Sequence, residues 1–135
     1  MRFQSTNGGR HELGQNFLRN PNTINRFVAV VRETEGGILE IGAGDGAITR
    51  KLSLLGRELT AIDVDERYVK RLRQNFSTIR VERADALRFT LEFPVIVGNI
   101  PFSLTTPILR RLLKASSWHD AVLLTQWEVD RKSVV

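Results

Sequence analysis

Two stretches of this sequence carry residue types whose spacing can do chemistry. In Val97-Gly98-Asn99-Ile100-Pro101-Phe102, an amide side chain, a proline and an aromatic ring follow one another closely. The Asn99 side-chain oxygen and a backbone carbonyl at Ile100 can each accept one N–H of an amino group and so aim its lone pair. Pro101 offers no competing donor and stiffens the turn. The Phe102 ring can stack on a base that has been taken out of its helix. The set suits the exocyclic amine of adenine, a poor nucleophile that must be held while its nitrogen becomes tetrahedral. Asn99, Ile100, Pro101 and Phe102 are therefore the candidate catalytic residues, with positioning and desolvation supplying most of the rate and no general base required.

The second stretch, Ile38 to Gly46, is a short apolar run followed by three glycines at alternate positions. Such a run predicts a buried strand that turns sharply into a helix and leaves its backbone bare for a ligand. Gly42 to Ala47 satisfies G-x-G-x-x-A, the dinucleotide pattern, with Asp63 at the end of the next strand ready for a ribose. Yet Glu40 precedes the first glycine and Asp45 lies within the turn. Negative charge there opposes a pyrophosphate and favours a cation, such as the sulfonium and amino groups of S-adenosyl-L-methionine (SAM). Gly42, Gly44, Asp63 and Asp85 are thus candidate cofactor residues. Asp85, at the end of a third strand, either accepts an adenine amino group or caps a turn.

These residues need a scaffold, and the hydrophobic pattern supplies it. Asn20-Pro21 is an N-cap followed by a first-turn proline, opening a helix with Ile24, Phe27, Val28 and Val31 on one stripe. Strands are predicted at 38–41, 59–62, 79–82, 93–97 and 121–125. Helices are predicted at 47–55, at 66–76 with Arg67, Lys70, Arg71 and Arg73 on a basic face, and after a Thr106-Pro107 cap with Ile108, Leu109, Leu112 and Leu113 inward. A further helix begins at Trp127. The basic face is either simply solvated or in contact with RNA. Strands alternating with helices imply an α/β, doubly wound, mostly parallel sheet with ligands at the carboxyl ends of its strands. Strand five is apolar with nothing after it to pair its outer edge, so the sheet reads as incomplete there.

The composition agrees. A chain of 135 residues with 41% hydrophobic and 26% charged residues is a soluble globular domain, and its net charge of +5 suits a polyanionic partner. No run is long enough to cross a membrane and the polar start lacks a signal peptide. Without cysteines there are no disulfides or thiolate metal sites, which fits a cytoplasmic protein. No metal site and no Ser/His/Asp or Cys/His arrangement is present; His11 and His119 lie in separate polar stretches. Residues 1–19 are expected to be a flexible segment in which Gly14 to Leu18 either pins a loop or forms a lid. Residues 20–135 then form the catalytic domain.

With these residues in hand, the chain resembles the ribosomal RNA adenine N6-methyltransferases, and more closely the Erm group that methylates an adenine of 23S rRNA. The resemblance runs from about Gly9 to Arg131 through G-R-H-E-L-G-Q-N-F-L (Gly9–Leu18), L-E-I-G-A-G-D-G (Leu39–Gly46), A-I-D-V-D (Ala61–Asp65), V-G-N-I-P-F (Val97–Phe102) and A-V-L-L-T-Q-W-E-V (Ala121–Val129). It implies a Rossmann-like class I methyltransferase that uses SAM and acts on rRNA as a cytoplasmic monomer. It also implies macrolide–lincosamide–streptogramin B resistance. By the family pattern Asn16 and Leu18 close over the cofactor, Gly42 lines its methionine end, Asp63 holds the ribose, Asp85 holds the adenine, and Asn99 serves both pocket and target amine. Three departures stand out. Asp63 replaces the commoner Glu, Phe102 replaces the commoner Tyr, and the family's remaining strands and helical RNA-gripping domain do not follow Val129. The alternatives are a small-subunit rRNA adenine dimethyltransferase, a non-catalytic SAM- or RNA-binding remnant, and a nicotinamide oxidoreductase that would leave Asn99 to Phe102 without a role.

Overall fold

The computed structural model describes residues 20–126. Asn16, Leu18 and the helix expected from Trp127 lie outside them. Chain order is α1 (Pro21–Arg32), β1 (Ile38–Ile41), α2 (Ala47–Leu52) followed by a 3-10 turn (Ser53–Leu55), β2 (Leu59–Asp63), α3 (Glu66–Asn75), β3 (Arg80–Arg83), β4 (Val95–Pro101), α4 (Phe102–Lys114) and β5 (Asp120–Gln126). The five strands form one parallel sheet in the order β3-β2-β1-β4-β5.

Alternation along each strand divides the core between the two faces of the sheet. Ile38, Leu59, Val95 and Val97 face α1 and α2, where they meet Ile24, Phe27, Val28, Val31, Ile48 and Leu52. Ala61 and Val81 continue that face under Val69, Leu72 and Phe76 of α3. Leu39, Ile41, Ile62, Ile96 and Ile100 face the other way, onto Ile108 and Leu112 of α4 and onto Leu91. Helices therefore cover both faces. Burial of each such aliphatic side chain is worth about 1.5–3 kcal/mol, so both layers are needed to hold β1 and β4 in register.

The order of strands reverses beside β1. From β1 the chain moves outward to β2 and β3; it then returns to place β4 on the opposite side of β1 and continues to β5. A crevice forms at such a switch point, beyond the carboxyl ends of the two strands. Here those ends are Ile41-Gly42 and Asn99.

Local sequence sets the remaining boundaries. Asn20 Oδ1 accepts the amides of Asn22 at 2.9 Å and Thr23 at 3.3 Å, and Pro21 occupies the first turn, as expected. At the far end of α1, Arg57 donates to Gly36 O at 2.9 Å, Val31 O at 3.1 Å and Thr34 Oγ1 at 3.1 Å, bracing the approach to β1.

Three expectations are corrected. First, β4 extends to Pro101 rather than stopping at Val97, because β5 runs beside it through the pairs Asn99–Leu124, Ile100–Thr125 and Pro101–Gln126. Second, α4 opens at Phe102, so Thr106 and Pro107 lie inside the helix rather than at its cap. Pro107 is the sixth residue of that helix, past the first four amides that lack helical partners, so it removes the bond an amide there would make to Ser103 O and crowds that carbonyl. Third, Ile108 and Leu112 are buried, but Leu109 is 45% exposed and Leu113 is 82% exposed. The apolar stripe is one residue wide where the sequence suggested two. β5 lies at the sheet edge, and among the described residues no strand pairs with its outer side.

Candidate functional site

The turn after β1 is built by glycine conformation and one carboxylate. Gly42, Gly44 and Gly46 have φ values of +66°, +56° and +88°, in the left-handed region that side chains disfavour. The amides of Gly42 and Ala43 both reach Ile62 O, at 2.9 and 3.1 Å, which carries the turn across the end of β2. There Asp63 takes over. Its Oδ2 accepts the amide of Gly44 at 2.9 Å, and its Oδ1 accepts the amide of Asp65, also at 2.9 Å. Asp63 is 9% exposed. It therefore supports the glycine turn from below, and each of its oxygens still has a lone pair for a ligand.

Glu40 lies beneath the same turn, on the side of α2. It is 1% exposed, and the Thr49 hydroxyl donates to its Oε1 at 2.6 Å. Burial pushes the Glu40 carboxyl up to about 7; the Thr49 bond pulls it part of the way back, and the charges of Asp63 and Asp45 add to the rise. Register neighbours Ala61 and Val97 offer no counter-charge. The floor of the turn is thus acidic, and among the described residues no cation pairs with Glu40. Thr49 was not singled out by the sequence, although its position one turn into α2 is where a partner for Glu40 had to stand.

Asp45 accepts the amide of Ala47 at 3.1 Å through Oδ1. That amide opens α2 and is one of those a pyrophosphate would need. With a carboxylate already there, the dinucleotide use of the turn is disfavoured and a cationic ligand fits better.

Across the crevice stands Asn99. Its side chain is only 7% exposed, and among the described residues its Oδ1 is buried with no hydrogen-bond partner. A buried acceptor left empty costs roughly 1–3 kcal/mol, and such atoms invite a functional explanation. Its main chain approaches the glycine turn so closely that a Cβ on Gly42 would lie 3.4 Å from Asn99 O. One residue earlier, a Cβ on Gly98 would lie 2.6 Å from Ile41 O, too close for any side chain. Gly98 was not singled out because the strand was expected to stop at Val97; a lone glycine inside a strand is the mark of a close backbone approach.

The residues that follow divide by exposure. Ile100 is 1% exposed and packs into the α4 layer, so only its main chain can meet a ligand. Pro101 is extended, with φ −56° and ψ 143°, and is the N-cap residue of α4. Phe102 is 43% exposed at the first position of that helix. Asn99, Ile100 and Pro101 thus end β4, with Asn99 beside Gly42, and Phe102 opens the helix that follows.

Asp85 follows β3. Its Oδ1 accepts the amide of Leu87 at 2.9 Å, and its carbonyl accepts Arg88 and Phe89 at 2.8 and 2.9 Å. It does cap a turn. The preceding amide, of Ala84, donates to Asp63 O at 3.0 Å, which ties the Asp85 turn to the end of β2. A cavity of about 310 Å³ lined by Glu66, Val69, Lys70, Arg73 and Gln74 lies along α3 and shares no residue with this crevice. On that helix, Arg73 is spent on Val81 O, at 3.0 and 3.2 Å, and Arg67 pairs with Asp65. Among the described residues no group of side chains is arranged to hold a metal ion, and no helix is long and apolar enough to cross a membrane.

Comparison with known proteins adds the family. A model of ribosomal RNA adenine dimethylases matches residues 6–134. An rRNA adenine N-6-methyltransferase of Corynebacterium diphtheriae is 52% identical over 128 residues, covering 92% of this chain and 51% of the relative. The mycinamicin-resistance protein MyrB of Micromonospora griseorubida is 49% identical over 129 residues, covering 93% of this chain and 42% of the relative. The crystal structure of the 23S rRNA methyltransferase ErmE superposes with a TM-score of 0.70 at 35% identity, covering 81% of this chain and 47% of that one. The chain spans about half the length of the curated relatives it matches.

Proposed function

The chain belongs to the ribosomal RNA adenine dimethylase family, and on that premise we propose that it directs the methyl group of SAM to N6 of an adenine in 23S rRNA. The observation that carries this reading is the empty Asn99 Oδ1, a buried acceptor facing no protein donor among the described residues. An adenine amino group is the donor it lacks. The relatives named above support the reaction class, the likeness to the 23S rRNA methyltransferase ErmE supports the large-subunit target, and the likeness to the mycinamicin-resistance protein MyrB supports a role in resistance, which we extend to the macrolide–lincosamide–streptogramin B group.

The residues act as follows. Asn99 Oδ1 accepts one N–H of the target amine and the Ile100 carbonyl accepts the other, which turns the nitrogen lone pair away from the ring. Pro101 presents no amide to compete for those acceptors. The exposed Phe102 ring stacks on the extruded base and keeps it from returning to its helix. Gly42 and Gly44 keep the turn bare of side chains for the methionine end of the cofactor. Asp63 accepts the ribose hydroxyls and Asp85 the adenine amino group. When bound, SAM supplies an electrophilic methyl on a sulfonium. Glu40, Asp45 and Asp63 match that positive charge, and their carboxylates oppose a pyrophosphate in the same place. Asn16 and Leu18 are assigned the closing edge of the pocket. The excess of basic residues suits contact with rRNA phosphates, and the reading carries with it a cytoplasmic monomer.

The test is transfer of labelled methyl from SAM to protein-free 23S and 16S rRNA, with Asn99→Ala beside the parent chain. Label on 23S rRNA that disappears in Asn99→Ala supports the proposal. Label on 16S rRNA alone would move the chain to the small-subunit dimethylases. A chain that binds SAM yet labels neither RNA would be the non-catalytic remnant.

A further inference from the structure

The 84–94 segment between β3 and β4 has no helix or strand of its own, yet it carries Asp85. One arginine from a distant part of the chain holds it. Arg111 Nη1 donates to Ala86 O at 2.6 Å and to Phe89 O at 2.8 Å. These carbonyls flank the turn that the Asp85 carbonyl closes through Arg88 and Phe89. Carbonyls at the end of a single turn have no partner within it, and a guanidinium binds them more strongly than a neutral donor would. Among the described residues no carboxylate pairs with Arg111, so its charge is committed to this turn. Arg111 is on α4, the helix whose first residue is Phe102.

We propose that Arg111 is a positioning residue for the adenine end of the cofactor. It fixes the Asp85 turn against the helix that presents Phe102, so that cofactor base and target base are held by one rigid body. The opposite end of the turn is already tied to Asp63 through Ala84, at 3.0 Å. The Asp85 carboxylate is thus clamped between the ribose acid on one side and α4 on the other. Its Oδ1 is occupied by Leu87, and among the described residues its Oδ2 has no partner. This inference rests on the assignment of Asp85 to the adenine amino group.

Calorimetric affinities separate the two. The ligands are SAM and its deaminated analogue, in which the adenine 6-amino group is replaced by oxygen. The parent chain is expected to prefer SAM. Arg111→Met, which keeps the bulk of the stem and removes the donors, is expected to weaken SAM about tenfold and leave the analogue unchanged. Arg111→Lys, which retains the charge and donors, is expected to restore most of that loss. Amide exchange at Leu87, Arg88 and Phe89 is expected to quicken in Arg111→Met while Arg50, on the opposite face, keeps its rate. Equal weakening of both ligands, or of neither, in Arg111→Met and Arg111→Lys would overturn the positioning role. A parent chain that binds both ligands equally would overturn the assignment of Asp85 instead. No binding of SAM at all would overturn the cofactor reading beneath both. If Arg111→Met does not fold, Arg111→Lys and Arg111→Gln carry the same comparison.

Discussion

The Asp63 carboxylate accepts the amide of Gly44 at 2.9 Å, so the residue assigned to a ligand also builds the loop that receives it. Asp63→Asn replaces one acceptor with a donor that must face either the Gly44 or the Asp65 amide. The expected cost is about 1–3 kcal/mol of stability for the buried group left unpaired. SAM affinity is expected to fall at least tenfold. Denaturant unfolding and calorimetry on the same preparation check both.

Glu40 makes stability depend on pH in a defined window. Its carboxyl is raised from 4.5 to about 7 in the folded chain, so the folded state holds this proton longer than the unfolded state. Stability from this group is complete below pH 4.5, is lost as pH rises to about 7, and is flat above. The loss is about 3 kcal/mol at roughly 1.4 kcal/mol per pKa unit. Glu40→Gln retains an acceptor for Thr49 and should abolish the slope, leaving a variant more stable than the parent at pH 8. Urea midpoints between pH 5 and 8 read the difference; parallel curves for the two proteins would remove the buried proton.

Asn99→Ala should separate function from folding. The substitution removes a buried oxygen that has no partner among the described residues, so it is expected to leave stability within about 1 kcal/mol of the parent. Methyl transfer is expected to fall at least a hundredfold, while SAM binding changes far less. A large loss of thermal stability would mean that the side chain is structural.

Two glycines should fail for different reasons. Gly98→Ala puts a Cβ 2.6 Å from Ile41 O between two packed strands, and a loss of about 3 kcal/mol or failure to fold is expected. Gly56→Ala meets nothing within 4 Å, but Gly56 has φ +72°, so about 1–2 kcal/mol of backbone strain is expected. Gly56→Asn should recover part of that loss, whereas no side chain should rescue position 98. Thermal melts of the purified variants are sufficient.

Much of this architecture was legible because local rules and tertiary packing agree. The run Ile38 to Gly46 reads as a strand and a tight turn into the helix that opens at Ala47, and is that in the structure. Asn20-Pro21 reads as a helix start and is one. The misreadings occur where a distant segment decides. Asn99 to Pro101 look like a turn because asparagine and proline punctuate turns, yet β5 pairs with them and extends β4. Leu109 and Leu113 fit a helical stripe, but the layer beneath α4 has room only for Ile108 and Leu112. The Glu40–Thr49 bond and the reach of Arg111 to Ala86 and Phe89 depend on side-chain direction across elements, which no spacing along one element reveals.

The reversal of strand order beside β1 also has a temporal side. β1, β2 and β3 are consecutive in the chain and complete one half of the sheet, the glycine turn and its Asp63 brace. β4 is made last among the partners of β1, and only its arrival brings Asn99 to Gly42. As a chain is synthesised at roughly 5–20 residues per second, Gly44 and Asp63 are made seconds before Asn99. The core around β1 is likewise complete only then, because Val95, Val97, Ile96 and Ile100 of β4 pack in its two layers.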